Sequence, residues 1–171
     1  IVRVAYSDGD TAEHWSLPVE TNSELGNTAV VKLDKVEGGK RYTYQIEVNG
    51  ERISKSYTLE TPAFYHDRTP PPDFRIAVGG AHYVTEEGFE PPYQILGGGY
   101  GIFNTIADSK PNLMLWLGNT AHLRQSVWAS QSGILKRYEK ARAVPELKRL
   151  LASTPNCATW GSSDYSITNS G

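Results

Sequence analysis

Three successive prolines, Pro70-Pro71-Pro72, sit within the segment YHDRTPPPD that spans residues 65–73. Each fixes φ near about −65° and removes a backbone donor, so the segment is held extended and is denied to helix. A packed core does not run through such a stretch. The chain is therefore expected to divide near residue 70, with residues 1–64 and 74–171 each burying their own apolar surface. A length of 171 residues is enough for one medium domain or two small ones.

Composition bounds the class. Hydrophobic content of 39% and charged content of 21% are ordinary for a globular chain. The net charge of −2 gives no general attraction to nucleic acid or to an anionic membrane surface. No apolar run approaches the ~20 residues that span a bilayer, so no membrane span is expected. The sequence opens on Ile1-Val2-Arg3-Val4, which reads as a strand already under way with no signal peptide, as in a mature product or an excised piece. The single cysteine, Cys157, has no partner for an internal disulfide and is expected to be a buried, inert thiol.

Residues 1–64 read as all-β. Val2, Val4 and Tyr6 alternate with polar residues up to the turn cluster Ser7-Asp8-Gly9-Asp10. Ala29–Leu33 and Tyr42–Val48 are further strand-like runs. Asn49-Gly50 predicts a hairpin pairing 44–48 with 53–59, because both turn residues tolerate positive φ. Strands at this spacing predict a small β-sandwich of immunoglobulin-like kind. Within it, Val36-Glu37-Gly38-Gly39-Lys40-Arg41-Tyr42 resembles the fibronectin type III pattern before its sixth strand, with a Gly pair in place of the usual Pro-Gly. The resemblance places Tyr42 at the tyrosine corner, its ring buried and its hydroxyl bonded to backbone.

From Phe74 the pattern becomes α/β. Phe74–Val78 is a first strand ending at Gly79-Gly80. Ile102–Ala107 has helical spacing after the Gly97-Gly98-Gly99 turn. Leu113–Leu117 is a second strand, continuously apolar and so expected to be buried on both faces. Helices follow over 127–143 and, started by Pro145, through Leu151; Cys157–Trp160 is a third strand. The order β-α-β-α-α-β opens an α/β layered domain, and three parallel strands are too few for a sheet with both faces covered. The domain is expected to be partial, and its sheet edge could recruit a second copy or a complementing chain.

Each apolar run ends in glycine and then turns polar, delivering Ala81-His82, Asn119 with His122, and Ser162-Ser163-Asp164 to the carboxyl ends of the strands. An open α/β sheet places its ligands there. The flanking stretches FRIAVGG, KPNLMLWLG, GILKRYEKARAVPELKRLLASTPN and ATW resemble the PhoD-like phosphatases, over roughly residues 73–171. The resemblance implies a fibronectin-like amino-terminal domain, an extracytoplasmic setting, and phosphoester hydrolysis at a centre of iron and calcium, or zinc. It also implies where the chemistry should sit. Ala81 stands where the family has a metal-binding Cys after the first strand. Asn119 stands at a metal-bridging Asp. Trp160-Gly161-Ser162-Ser163-Asp164 stands where the family reads Trp-Asp-Asp-His-Asp, so only Asp164 keeps its acid. The family's further ligands would fall beyond residue 171.

Such a centre needs anionic oxygens and imidazoles to hold the cations that activate water. Asn, Ser and Ala supply no negative charge. The expectation is a pseudoenzyme that holds no metal, with catalysis, were it present, falling to Asn119, Asp164, His82 and His122. A second expectation is a metal site rebuilt from His82, His122 and Asp164, since two imidazoles and a carboxylate can hold a transition metal. A third is a structural or self-assembling module working through exposed sheet edges. Other features carry less. Gly97–Gly101 before a helix lacks the spacing of a phosphate-binding loop. Lys136, Arg137, Lys140, Arg142, Lys148 and Arg149 read as a solvated helix face, or as contact to an anionic partner. Arg124 could grip a phosphate bidentately or pair on the surface. Trp116 and Trp160 read as core anchors, and His14 and His66 as incidental.

Overall fold

Alternating apolar residues in the first unit build four antiparallel strands, β1 (Val2–Ser7), β2 (His14–Trp15), β3 (Arg41–Val48) and β4 (Glu51–Glu60), in the order β2-β1-β3-β4. The computed structural model describes residues 1–10, 12–66, 68–85 and 99–165, and divides into two units, Ile1–Asp73 and Phe74–Gly171. Asn49 and Gly50 turn between β3 and β4 with φ of 50° and 89°, the left-handed pair that matches strand twist. Val4, Tyr6 and Tyr42 form the buried cluster of this unit.

The segment read as a strand at 29–33 forms none. It still contributes to the core, because Val31, Leu33 and Val36 pack on the Val4–Tyr6–Tyr42 cluster. Two phenols hold it there: Lys35 N–H donates to Tyr6 Oη at 3.1 Å, and Glu37 N–H to Tyr42 Oη at 2.9 Å. Tyr42 is 2% exposed. The two hydroxyls thus pair backbone donors of the irregular stretch just after 29–33. Among the described residues this unit has one sheet, covered by an irregular segment.

In the second unit, three parallel strands, β5 (Ile76–Gly79), β6 (Leu113–Trp116) and β7 (Asn156–Ala158), lie in the order β5-β6-β7. The connections carry α1 (Gly101–Asp108), then α2 (Gln131–Ala143) and α3 (Pro145–Ser153); α4 (Ser162–Tyr165) follows β7. This is a partial α/β domain. Its core joins Phe103 and Ala107 of α1 and Leu147 and Leu150 of α3 to Met114 and Trp116 of β6. Pro145 occupies the first turn of α3, where its missing N–H costs nothing. No helix among the described residues is long and apolar enough to cross a membrane.

One face of this sheet is well covered and the other is not. Met114 and Trp116 are buried, whereas Leu113 and Leu115, pointing the other way, are only half-buried. Ile76 and Val78, on that same opposite face of β5, are exposed. The outer strand β7 is exposed along its length, so Cys157 is an exposed thiol rather than a buried one. Trp160 is 69% exposed and anchors no core. Trp116 does, with its indole N–H donating to Asn156 Oδ1 at 2.9 Å. Of the Gly-rich turn before α1, Gly97 and Gly98 lie outside the described residues.

Candidate functional site

Parallel pairing aligns the strand ends, so the turns after β5, β6 and β7 meet. Leu117 N–H donates to Gly79 O at 2.7 Å, Ala81 N–H to Gly118 O at 3.1 Å and Thr159 N–H to Trp116 O at 3.0 Å. The turn after β6 is left-handed at three of five residues, with φ of 95° at Gly118, 56° at Asn119 and 47° at His122. Asn enters this region with little penalty; for His122 it costs about 1–2 kcal/mol. The turn after β7 presses against it. A Cβ on Gly161 would fall 2.6 Å from Asn119 N and closer still to Asn119 Oδ1, so only glycine fits.

Asp164, 4% exposed, locks the two turns together. Its Oδ1 accepts from Ala121 N–H at 3.0 Å and Thr120 Oγ1–H at 3.3 Å, and its Oδ2 accepts from Gly161 N–H at 3.0 Å. Asn119 Oδ1 accepts from Ser163 N–H at 2.8 Å, and Leu123 N–H donates to Ser163 O at 2.6 Å. Asn119 and Asp164 therefore face one another's turns as cross-braces. Ser162 is exposed at the start of α4 and Ser163 is half-buried. Ala81 is exposed and presents a methyl group.

The two histidines go elsewhere. His82 packs edge-on to Phe103 at 5.3 Å between centroids and lies 6.0 Å from Trp116. Neither of its ring nitrogens has a hydrogen-bond partner among the described residues. Burial pushes its pKa below the usual range; nearby Arg137 pushes the same way and Asp164 opposes. His122 packs edge-on to Tyr83 at 5.0 Å. Among the described residues no three His, Cys, Asp or Glu side chains gather as a metal-holding group. His82, His122 and Asp164 thus serve different partners.

Arg137 also departs from the expectation drawn from sequence. Assigned to a solvated helix face, it is 3% exposed. Its Nε–H lies 3.2 Å from Ala121 O and 3.3 Å from His122 O, and Nη2–H donates to Val84 O at 2.8 Å. Its guanidinium lies 5.2 Å from the Tyr83 ring centroid. Arg124 approaches the same ring, with Nη2–H donating to Tyr83 Oη at 2.8 Å. The available signal was spacing: Arg137 falls on the stripe of Ile134, Tyr138 and Ala141. Tyr83 and Gly161 had no sequence signal.

Ala81 offers no ligand and Asn119 no charge, and both Asp164 oxygens are engaged by backbone N–H groups.

Comparison with known proteins places the fold. No model of a protein family matches the sequence, and no curated protein matches it. Among solved structures, the "Structure of PhoD" is similar, with a TM-score of 0.66 and 17% identity. The likeness covers 95% of this chain and 32% of that one, so the chain spans about a third of the length of the PhoD structure. At this identity the similarity shows the fold alone: the chain has a PhoD-like fold.

Proposed function

We propose that this chain is a PhoD-like phosphatase fold whose metal-ligand positions are vacated, so that it does not itself hydrolyse phosphoesters. The observation that carries the reading is Asp164. It is the one acid kept of the run matched to the family's Trp-Asp-Asp-His-Asp, and it accepts Ala121 N–H and Gly161 N–H through its two oxygens. Turning either oxygen toward a cation would strip a buried backbone donor of its partner, at roughly 1–3 kcal/mol each. Ala81, Asn119, Ser162 and Ser163 add no negative charge to neutralise a divalent ion. The amino-terminal unit as a fibronectin-like module and the extracytoplasmic setting rest on the family resemblance.

The test is elemental analysis of the purified chain together with a chromogenic phosphodiester assay on the same sample. Metal below stoichiometry and no turnover are expected. Stoichiometric iron, calcium or zinc with turnover abolished by a chelator would overturn the reading.

A second reading, a module that assembles through its sheet, has its own support. Ile76, Val78 and Leu117 are exposed, and the outer strand β7 is exposed throughout. Apolar surface of this kind marks interaction sites. Light scattering across a concentration series tests it, with growth in mass expected and a constant monomer mass counting against it.

A further inference from the structure

We propose that a cleft between α2 and the chain following the turn after β6 binds a phosphate-sized oxyanion. The cleft measures about 260 Å³ and is walled chiefly by Arg124, Ser126, Gly133, Lys136, Arg137 and Lys140. Four of these six carry positive charge. Lys136, Arg137 and Lys140 come from consecutive turns of α2, and Arg124 reaches the same space from the turn after β6.

Size and charge together select the ligand. At roughly 30 Å³ per water, the space holds about nine waters. It is below the ~300–1,000 Å³ of sites for drug-sized molecules and admits a tetrahedral oxyanion with several of its waters. Convergent cations in a concave site concentrate the field on an anion.

The donors are pre-organised. Arg137 is fixed by contacts to carbonyls of Ala121, His122 and Val84, and Arg124 by the Tyr83 hydroxyl. A guanidinium already held in place loses little freedom on binding, and its planar fork matches an oxyanion's edge. Arg124, Arg137 and Lys140 hold further contacts as well, so the anion shares their donors. Lys136 is exposed and Lys140 half-buried, which lets both flexible amines close on the ligand. The cleft also adjoins the first turn of α2, capped by Ser130 Oγ accepting from Gly133 N–H at 3.1 Å. The positive end of the helix dipole adds to the field there. None of Ala81, Asn119 and Ser162 lines this cleft.

The experiment is calorimetric titration of the full chain with inorganic phosphate at low ionic strength, beside the double variant Lys136→Gln/Lys140→Gln. Both lysines lie outside the core, so the variant should fold, and its circular dichroism verifies this. Saturable one-to-one binding with Kd of about 1 mM or tighter is expected, weakened by about tenfold or more in the variant. Arg124→Gln should weaken binding similarly. Absence of saturable heat in the parent chain overturns the proposal. So does equal affinity in the folded double variant, which would place the phosphate elsewhere.

Discussion

Both units use a buried side chain to hold an irregular stretch of backbone, and they use opposite chemistries to do it. In the first unit, Tyr6 and Tyr42 each bring a large ring into the core and one hydroxyl to an N–H of the 35–37 segment. In the second, Asp164 brings a small charged group that takes two backbone N–H donors and a hydroxyl. The phenols are held mainly by apolar burial, with the hydrogen bond as an addition. The carboxylate has almost no apolar surface and owes its place to its bonds. The difference teaches that an acid at a strand end of a phosphatase-like fold can be an architectural part.

The comparison is most severely tested at Asp164. Asp164→Ala leaves three donors unmet and should cost about 3 kcal/mol or more in denaturant unfolding of the full chain. A loss under about 1 kcal/mol would show that the two turns hold without it. Gly161→Ala attacks the same contact from the other side. The added methyl meets Asn119 N and Oδ1, so a loss of about 2–3 kcal/mol is expected, by the same measurement. In the first unit, Tyr42→Phe keeps the ring and removes one acceptor, so about 1 kcal/mol should be lost. A loss as large as that of Asp164→Ala would erase the distinction between the two devices.

The smallest effect is a pH dependence from His82. Its folded pKa lies below the unfolded value of about 6.5, so the unfolded chain takes up the proton first. His82 should therefore cost stability progressively as pH falls below about 6.5, with the penalty levelling off once pH has passed below the folded pKa. At neutral pH and above it should contribute no pH dependence. His82→Phe should flatten that limb of the stability profile; an unchanged slope would assign it to other groups.

Much of this architecture is legible in the sequence where a residue's backbone chemistry decides the outcome. Asn49-Gly50 gives the hairpin because few other pairs enter positive φ twice, and Pro145 gives the start of α3 because its ring suits only a first turn. Burial is less legible, since it depends on what covers each face. Cys157 and Trp160 look like core residues by type and are exposed, Cys157 on the outer strand β7 and Trp160 in the turn after it. Arg137 looks like a surface residue by type and is buried, because three carbonyl groups converge on it. Residues 29–33 have strand-like composition, yet they form no strand and pack on the sheet through Val31 and Leu33, with the phenols holding residues 35 and 37 just beyond. At the candidate site the residue types were readable, and their cross-bracing was not. That bracing joins residues more than forty positions apart, a separation that no local pattern reports.

The left-handed turn at Gly118-Asn119 has a consequence for how a chain like this drifts over generations. Asn and Asp are the side chains that best tolerate that conformation, and either offers an oxygen to Ser163 N–H. The backbone at position 119 therefore sets no barrier between a charged and an uncharged residue. A lineage can gain or lose an anion there in one substitution, and the shape of the turn keeps no record of which came first.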